Sequence, residues 1–219
     1  MPCLLPRTAQ PHAAKRNKVT DLKTELLVCA TSVLCGLGAP LWASCPVADD
    51  LYTGIRFTID GGHVETFTQM RPGFVESVWE EGDYVGWVDI AKGVYIMEQQ
   101  ELDSDHNPIG DMVHYTFETE SGVLPVPEPG GGFSAKVVVI RGGEQWTETH
   151  DYRFGQEAIN TIGGCDYRMI PIEVRYGGDI VSSVDYLRYL PELGITYIAG
   201  FENDGERTDY YYSSIEVVQ

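Results

Sequence analysis

The amino-acid sequence predicts an all-β fold: an antiparallel meander of about eleven or twelve strands, strongly curved into a half-barrel, sandwich or barrel. Three observations predict it. Apolar and polar residues alternate with period two in run after run, as where Ile55, Phe57 and Ile59 interleave with Arg56, Thr58 and Asp60. Glycine turns separate the runs, with double glycines at Gly61-Gly62, Gly142-Gly143 and Gly177-Gly178. No helical periodicity of useful length occurs after residue 43.

Taken in order, the strand of residues 55–59 ends at Asp60-Gly61-Gly62, whose glycines supply the positive φ of a tight hairpin, and residues 63–70 return. Arg71-Pro72-Gly73 turns the chain into residues 74–80. Glu81-Gly82-Asp83 then leads into 84–91. Residues 93–102 and 112–120 flank a longer turn over 103–110. Residues 121–132 carry Pro125, Pro127 and Pro129 ahead of three glycines. Proline cannot donate to a ladder, so this reads as an extended, unpaired crossing within one domain. Strands resume over 137–141 and 145–154, where Trp146, Tyr152 and Phe154 share one face. Residues 156–160 could form a single helical turn. Strand-like runs then cover 167–176, 180–189, 195–201 and 206–218, the last opened by the hairpin signal Asn203-Asp204-Gly205. The double-glycine spacings are uneven, which speaks for a meander and against a repeat array.

Residues 1–43 differ from the rest. Five basic residues stand against Asp21 and Glu25, an apolar stretch runs over 26–37, and Ala43 supplies a small residue at the end. That is the layout of a secretory signal peptide, removed near Ala43; a buried N-terminal helix is the competing reading. The apolar stretch is short of the ~20 residues that span a membrane. Residues 44–219 are read as one all-β domain with no transmembrane segment. Removing the leader takes five of the 15 Lys and Arg and two of the 33 Asp and Glu, leaving a net charge of −21 against −18 for the whole chain. Such a surface repels phosphate backbones, so nucleic acid is not expected as a partner. Hydrophobic residues at 43% and charged residues at 22% place the chain among globular proteins and not among disordered ones.

Cleavage at Ala43 would remove Cys3, Cys29 and Cys35 and leave Cys45 and Cys165. An even pair in an exported chain reads as a disulfide. The competing reading is a lipid on Cys45, since Leu41-Trp42-Ala43-Ser44-Cys45 partly matches the bacterial lipobox. Trp42 stands where that motif takes a Leu-like residue, and a lipidated Cys45 would orphan Cys165. The disulfide is the stronger reading.

The stretch from Gly163 to Phe201 organises the chain, joining Cys165 to three strand-like runs. Within it, Tyr189-Leu190-Pro191-Glu192-Leu193-Gly194 resembles the Tyr-x-Pro-x-x-Gly turn before the last strands of bacterial envelope proteins with open, curved sheets, lipoprotein-carrier-like ones among them. The chain after residue 43 also resembles uncharacterised exported proteins of alphaproteobacteria. The first resemblance implies a curved sheet. Neither carries a catalytic assignment.

Candidate chemistry is sparse. Asp103-Ser104-Asp105-His106-Asn107 has the alternating oxygens of a calcium loop, but Pro108 and His114 stand where that loop needs Gly and Glu, so a capped turn is expected. The histidines show no metal spacing, no Gly-x-Ser-x-Gly is present, and no cofactor is expected. Glu76, Glu80, Glu81, Asp83 and Asp89 lie near Trp79 and Trp87, where paired carboxylates beside rings could hydrolyse glycans. The tyrosines are more unusual. Tyr186, Tyr189, Tyr197, Tyr210 and Tyr212 crowd the C-terminal strands and form a candidate ligand face, against a background of ordinary strand preference for tyrosine. The resulting expectation is a non-enzymatic, periplasmic or secreted envelope protein that binds an apolar or lipid-like ligand or a partner protein. A glycan hydrolase and a purely structural module are the alternatives.

Overall fold

In a computed structural model of the protein, residues 44–178 and 183–218 are described, and the expected leader lies outside them. The fold is all-β. The strands are β1 (Ile55–Ile59), β2 (His63–Arg71), β3 (Phe74–Glu81), β4 (Tyr84–Ala91), β5 (Tyr95–Leu102), β6 (Pro108–Phe117) and β7 (Gly132–Arg141). They continue with β8 (Glu144–Phe154), β9 (Ala158–Ile162), β10 (Cys165–Gly177), β11 (Ser183–Leu190), β12 (Ile195–Asn203), β13 (Glu206–Asp209) and β14 (Tyr212–Val217). All pairings are antiparallel, in the order β13-β12-β11-β10-β8-β7-β6-β5-β4-β3-β2-β1-β14, with β9 paired to the first part of β10. Short turns force this meander, since antiparallel neighbours need only a hairpin between them.

The sheet is curved. Phe57 on β1 and Tyr197 on β12 stand ten strand steps apart along that order, about 48 Å in a flat sheet. Their ring centroids are 5.4 Å apart. Among the described residues the path is not closed by a ladder. Its two ends are carried by consecutive strands: β13 pairs with β12, the chain turns at residues 210–211, and β14 pairs with β1.

Alternation delivers two apolar cores. In the first, Phe57, Phe67, Val75, Ile90, Tyr167, Leu190, Ile195 and Tyr197 pack together; in the second, Tyr95, Phe117, Val137, Val139, Tyr152, Ile172, Val174 and Tyr189 do. The 13-residue β10 serves both, with Tyr167 in the first and Ile172 and Val174 in the second. At the end of β11, Tyr189 and Leu190 point to different cores because successive side chains on a strand alternate.

The Pro/Gly-rich crossing joins β6 to β7, which pair directly, so it connects neighbours within one sheet. It is tied down: Leu124 is buried in the second core and the Tyr95 hydroxyl donates to the Pro125 carbonyl at 2.8 Å. Two differences from the sequence reading concern strands. Residues 158–162 form β9 in place of a helical turn, and the side chains of that strand are mostly exposed and carry little alternation. The last run divides into β13 and β14, since one half must follow β12 and the other β1.

Cys45 and Cys165 are joined by a disulfide, with Cα atoms 5.6 Å apart and the two residues 120 positions apart in sequence. The sulfur that a lipid thioether would require is therefore occupied. The anchored segment adds its own contacts, as the Tyr167 hydroxyl donates to the Pro46 carbonyl at 2.9 Å and Leu51 is buried in the first core.

One glycine is dictated by a close approach. Gly93 has φ +69°, and a Cβ there would lie 2.0 Å from the Gly194 carbonyl oxygen. Neither backbone can yield easily, because Leu190 and Leu193 anchor the second turn in the first core. Gly93→Ala is expected to destabilise the protein by about 3 kcal/mol, combining positive-φ strain with a backbone clash. A urea melt of the variant checks this, and an unchanged midpoint would refute the contact.

Candidate functional site

The second core ends in a polar row that the apolar alternation does not require. On β8, Trp146, Glu148, His150 and Tyr152 fall on the face that packs inward. His150 lies directly across from Tyr176 of β10, and Tyr176 directly across from Ser183 of β11. Cross-strand register therefore places His150, Tyr176 and Ser183 in one row on one face. Asp185 is on the same face, two residues along β11.

The hydrogen bonds of this row are specific. The Trp146 indole donates to Glu148 Oε1 at 2.6 Å, and His150 Nε2 lies 3.1 Å from Glu148 Oε2. The Tyr176 hydroxyl donates to Asp185 Oδ2 at 2.9 Å, and its ring stands edge-on to the His150 ring with centroids 4.8 Å apart. Burial drives the Asp185 carboxyl up to about 6, against the opposing pull of the Tyr176 hydrogen bond. His150 is 3% exposed and Ser183 2%, yet His150 Nδ1 and Ser183 Oγ have no partner among the described residues. Two orphaned polar atoms in one buried row are unusual, since buried polar groups are nearly always hydrogen-bonded.

A second buried carboxylate sits in the first core. Glu65 on β2 is 7% exposed, receives the Ser77 hydroxyl at Oε1 (2.7 Å), and has the Tyr212 hydroxyl 3.2 Å from Oε2. Burial raises its carboxyl to about 7, although both hydrogen bonds pull the other way. This group is satisfied by its neighbours and needs no ligand.

The five tyrosines of the sequence reading occupy different places. Tyr197 and Tyr212 come together, with centroids 4.4 Å apart beside Phe57. The Tyr197 hydroxyl is held by Asn160 (2.9 Å) and Arg188 (3.4 Å). Tyr189 is buried in the second core. Tyr186 lies under the Arg207 guanidinium, 3.8 Å from it, and donates to Glu202. Tyr210 packs against Trp79, with centroids 5.1 Å apart, and against Phe201. The structure brings Tyr197 and Tyr212 into one cluster and gives the other three separate neighbours.

The chain matches no family model, no curated protein and no solved structure.

Three of the five acidic residues near Trp79 and Trp87 have separate engagements. Asp89 pairs with Arg71 at 2.6 Å, Glu80 with His106 at 3.0 Å and Glu81 with His63 at 3.5 Å. The turn at Asp103 spends its oxygens on itself: Oδ1 accepts the backbone amides of Asp105 and Asn107, both at 2.9 Å. Those bonds hold the Asp103 carboxyl below its usual range, the Asn107 backbone amide contributing most. Among the described residues no group of three or more His, Cys, Asp or Glu side chains could hold a metal ion, and no helix is long and apolar enough to cross a membrane.

Proposed function

We propose that the protein is exported to the periplasm or beyond with its first 43 residues removed, and that it is a non-enzymatic binding protein for an apolar, lipid-like ligand. The disulfide supports the compartment, because such bonds persist where the surroundings are oxidising. The observation that carries the binding reading is the mixed character of the second core at its polar row. Met97, Val113, Tyr115, Trp146 and Leu187 pack against that core while only partly buried, and the unpartnered His150 Nδ1 and Ser183 Oγ belong to the row that flanks Tyr176, itself packed against that core. Apolar walls with a few convergent polar atoms are the usual make-up of a small-molecule site. The acidic residues around Trp79 and Trp87 give less support to glycan hydrolysis, since Asp89, Glu80 and Glu81 each face a different side chain, Arg71, His106 and His63.

Two measurements test this reading. Intact mass of the protein from an envelope fraction is expected to correspond to residues 44–219 less two hydrogens, and organic extraction to release an amphiphile at near one-to-one ratio. Titration of stripped protein with 1-decanol is expected to change the fluorescence of Trp146. Recovery of a protein partner in place of an amphiphile, with no response to decanol, would overturn the ligand reading.

A further inference from the structure

We propose that the segment joining β13 to β14 is a strap across the seam of the sheet, and that the proton on Glu65 decides whether the strap is fastened. Its seats are specific. The Tyr210 amide donates to the Ala199 carbonyl of β12 at 2.9 Å. One residue on, the Tyr211 carbonyl accepts the Asp60 amide, just past β1, at 2.8 Å. The Tyr212 hydroxyl then reaches back to the Ile198 carbonyl of β12 at 2.9 Å. These two carbonyls lie at a bulge. Tyr186 and Leu187 of β11 stand opposite Gly200 and Ile198, so Ala199 has no partner residue on β11 and the ladder is locally disrupted. Two successive carbonyls of β12 thus hold the strap, one through an amide and one through a phenol. The rings that the strap carries are aromatic plugs: Tyr210 packs on Trp79 and Phe201, and Tyr212 on Tyr197 and Phe57.

The phenol is where the proton acts. Tyr212 has one hydrogen to give and two acceptors in reach, the Ile198 carbonyl and Glu65 Oε2. A protonated Glu65 serves the phenol oxygen with its own O–H, which leaves the phenol hydrogen for Ile198. An ionised Glu65 has no hydrogen to give and draws the phenol hydrogen to itself, because a charged acceptor makes the stronger bond. Ile198 then loses its donor, and the strap loses one of its two seats on β12. The neighbours leave Tyr212 as the partner that must answer the change. From β3, Ser77 already donates to Oε1, and Trp79 stands directly across the ladder. From β1, the residue directly across is Phe57. Tyr197 of β12 and Tyr210 of the strap are the other titratable groups beside Tyr212. His63, two residues along β2, is paired with Glu81, and Arg188, directly across from Tyr197, gives its hydrogens to Asn160 and Tyr197. Among the described residues Glu65 has no ion pair. Burial holds its carboxyl up at about 7, so the strap is fastened at pH 5.5 and loosened at pH 8.5. The device is independent of the ligand reading above.

Carbon-13 NMR of the oxidised, purified protein between pH 5.5 and 8.5 tests the wiring. The Ile198 carbonyl resonance is expected to move with the same midpoint as the Glu65 carboxyl resonance. In Glu65→Gln the Ile198 carbonyl is expected to stay at its acid position throughout. In Tyr212→Phe the Glu65 carboxyl is expected to titrate while the Ile198 carbonyl no longer follows it. Amide hydrogen exchange tests the strap. Protection of the Tyr210 amide, taken as a ratio to that of Val137 in the second core, is expected to fall at least tenfold from pH 5.5 to 8.5, and to stay within twofold in Glu65→Gln. A purely global loss of stability cannot lower that ratio. An Ile198 carbonyl that stays still while Glu65 titrates overturns the wiring. A constant exchange ratio overturns the strap. A Glu65 carboxyl that does not titrate in this range overturns both. Melting curves check that the variants fold; should Tyr212→Phe not fold, the comparison of wild type with Glu65→Gln decides alone.

Discussion

Replacing Cys165 with serine, or reducing the Cys45–Cys165 bond, is expected to cost about 2–5 kcal/mol of stability, the largest effect of any single change considered. The cause lies chiefly in the unfolded chain. The bond joins residues 120 positions apart, and the loop-entropy relation assigns such a closure ~4–5 kcal/mol. The folded state contributes as well. Cys165 is buried in the first core, and the segment that Cys45 anchors carries Leu51 and the Pro46 carbonyl that Tyr167 uses. For a chain of this size, each kcal/mol is worth ~2–4 °C, so the midpoint of thermal unfolding is expected to fall by roughly 5–20 °C. Urea melts of oxidised protein, reduced protein, Cys45→Ser, Cys165→Ser and the double variant check the origin of the effect. Both single variants and the double are expected to lose similar amounts, because all three break one bond. Losses that add across the two sites would show that each cysteine contributes by packing alone. Unchanged stability on reduction would show that the bond does not tie the fold.

Period-two alternation and glycine turns made the curved antiparallel meander legible, because half-buried strands must alternate and hairpins must turn on residues that tolerate positive φ. The disulfide was legible from cysteine parity once the leader was set aside. β9 was not, since a strand with four of its five side chains exposed or half-buried carries no apolar rhythm. The buried polar row was also missed, yet its signal was present. Trp146, Tyr152 and Phe154 mark one face of β8 as apolar, and the same period places Glu148 and His150 on that face. A polar residue in phase with an apolar face is the sequence mark of such a site. Which strands lie beside β8 decides what those residues meet, and pairing order is a tertiary property. The tyrosine cluster shows the same limit. Residue type and position in the C-terminal strands were readable, but the bulge between Tyr186 and Leu187 and the division between β13 and β14 distribute the rings among different neighbours.

Glu65→Gln is expected to leave stability near that of the wild type at pH 4.5 and to raise it by about 3 kcal/mol at pH 8. Burial lifts the Glu65 carboxyl from 4.5 to about 7 in the folded protein. Between those values the unfolded chain has released the proton and the folded chain still holds it. Folded protein therefore binds more protons than unfolded, and stability falls as pH rises through that window. A rise of that size corresponds to about 3 kcal/mol, reached in full above pH 7. The hydrogen bonds argue independently for a neutral carboxyl. The Tyr212 phenol has one proton, yet it faces two acceptors, Glu65 Oε2 at 3.2 Å and the Ile198 carbonyl at 2.9 Å. If Glu65 carries a proton on Oε2, it donates to the phenol oxygen, the phenol donates to Ile198, and Ser77 donates to Oε1. Every group is then satisfied. The glutamine of the variant would reproduce that arrangement at every pH, with its amide nitrogen donating to Tyr212 and its oxygen accepting from Ser77. Asp185 is raised in the same direction, so the wild-type slope contains both groups, and the difference between wild type and Glu65→Gln isolates the first. Urea melts at intervals from pH 4.5 to 8 measure that difference. A gap that grows with pH identifies a buried acid held neutral. A constant loss in the variant at all pH values would identify Glu65 as a buried carboxylate stabilised in its charged form, and would reverse the proton assignment of Tyr212.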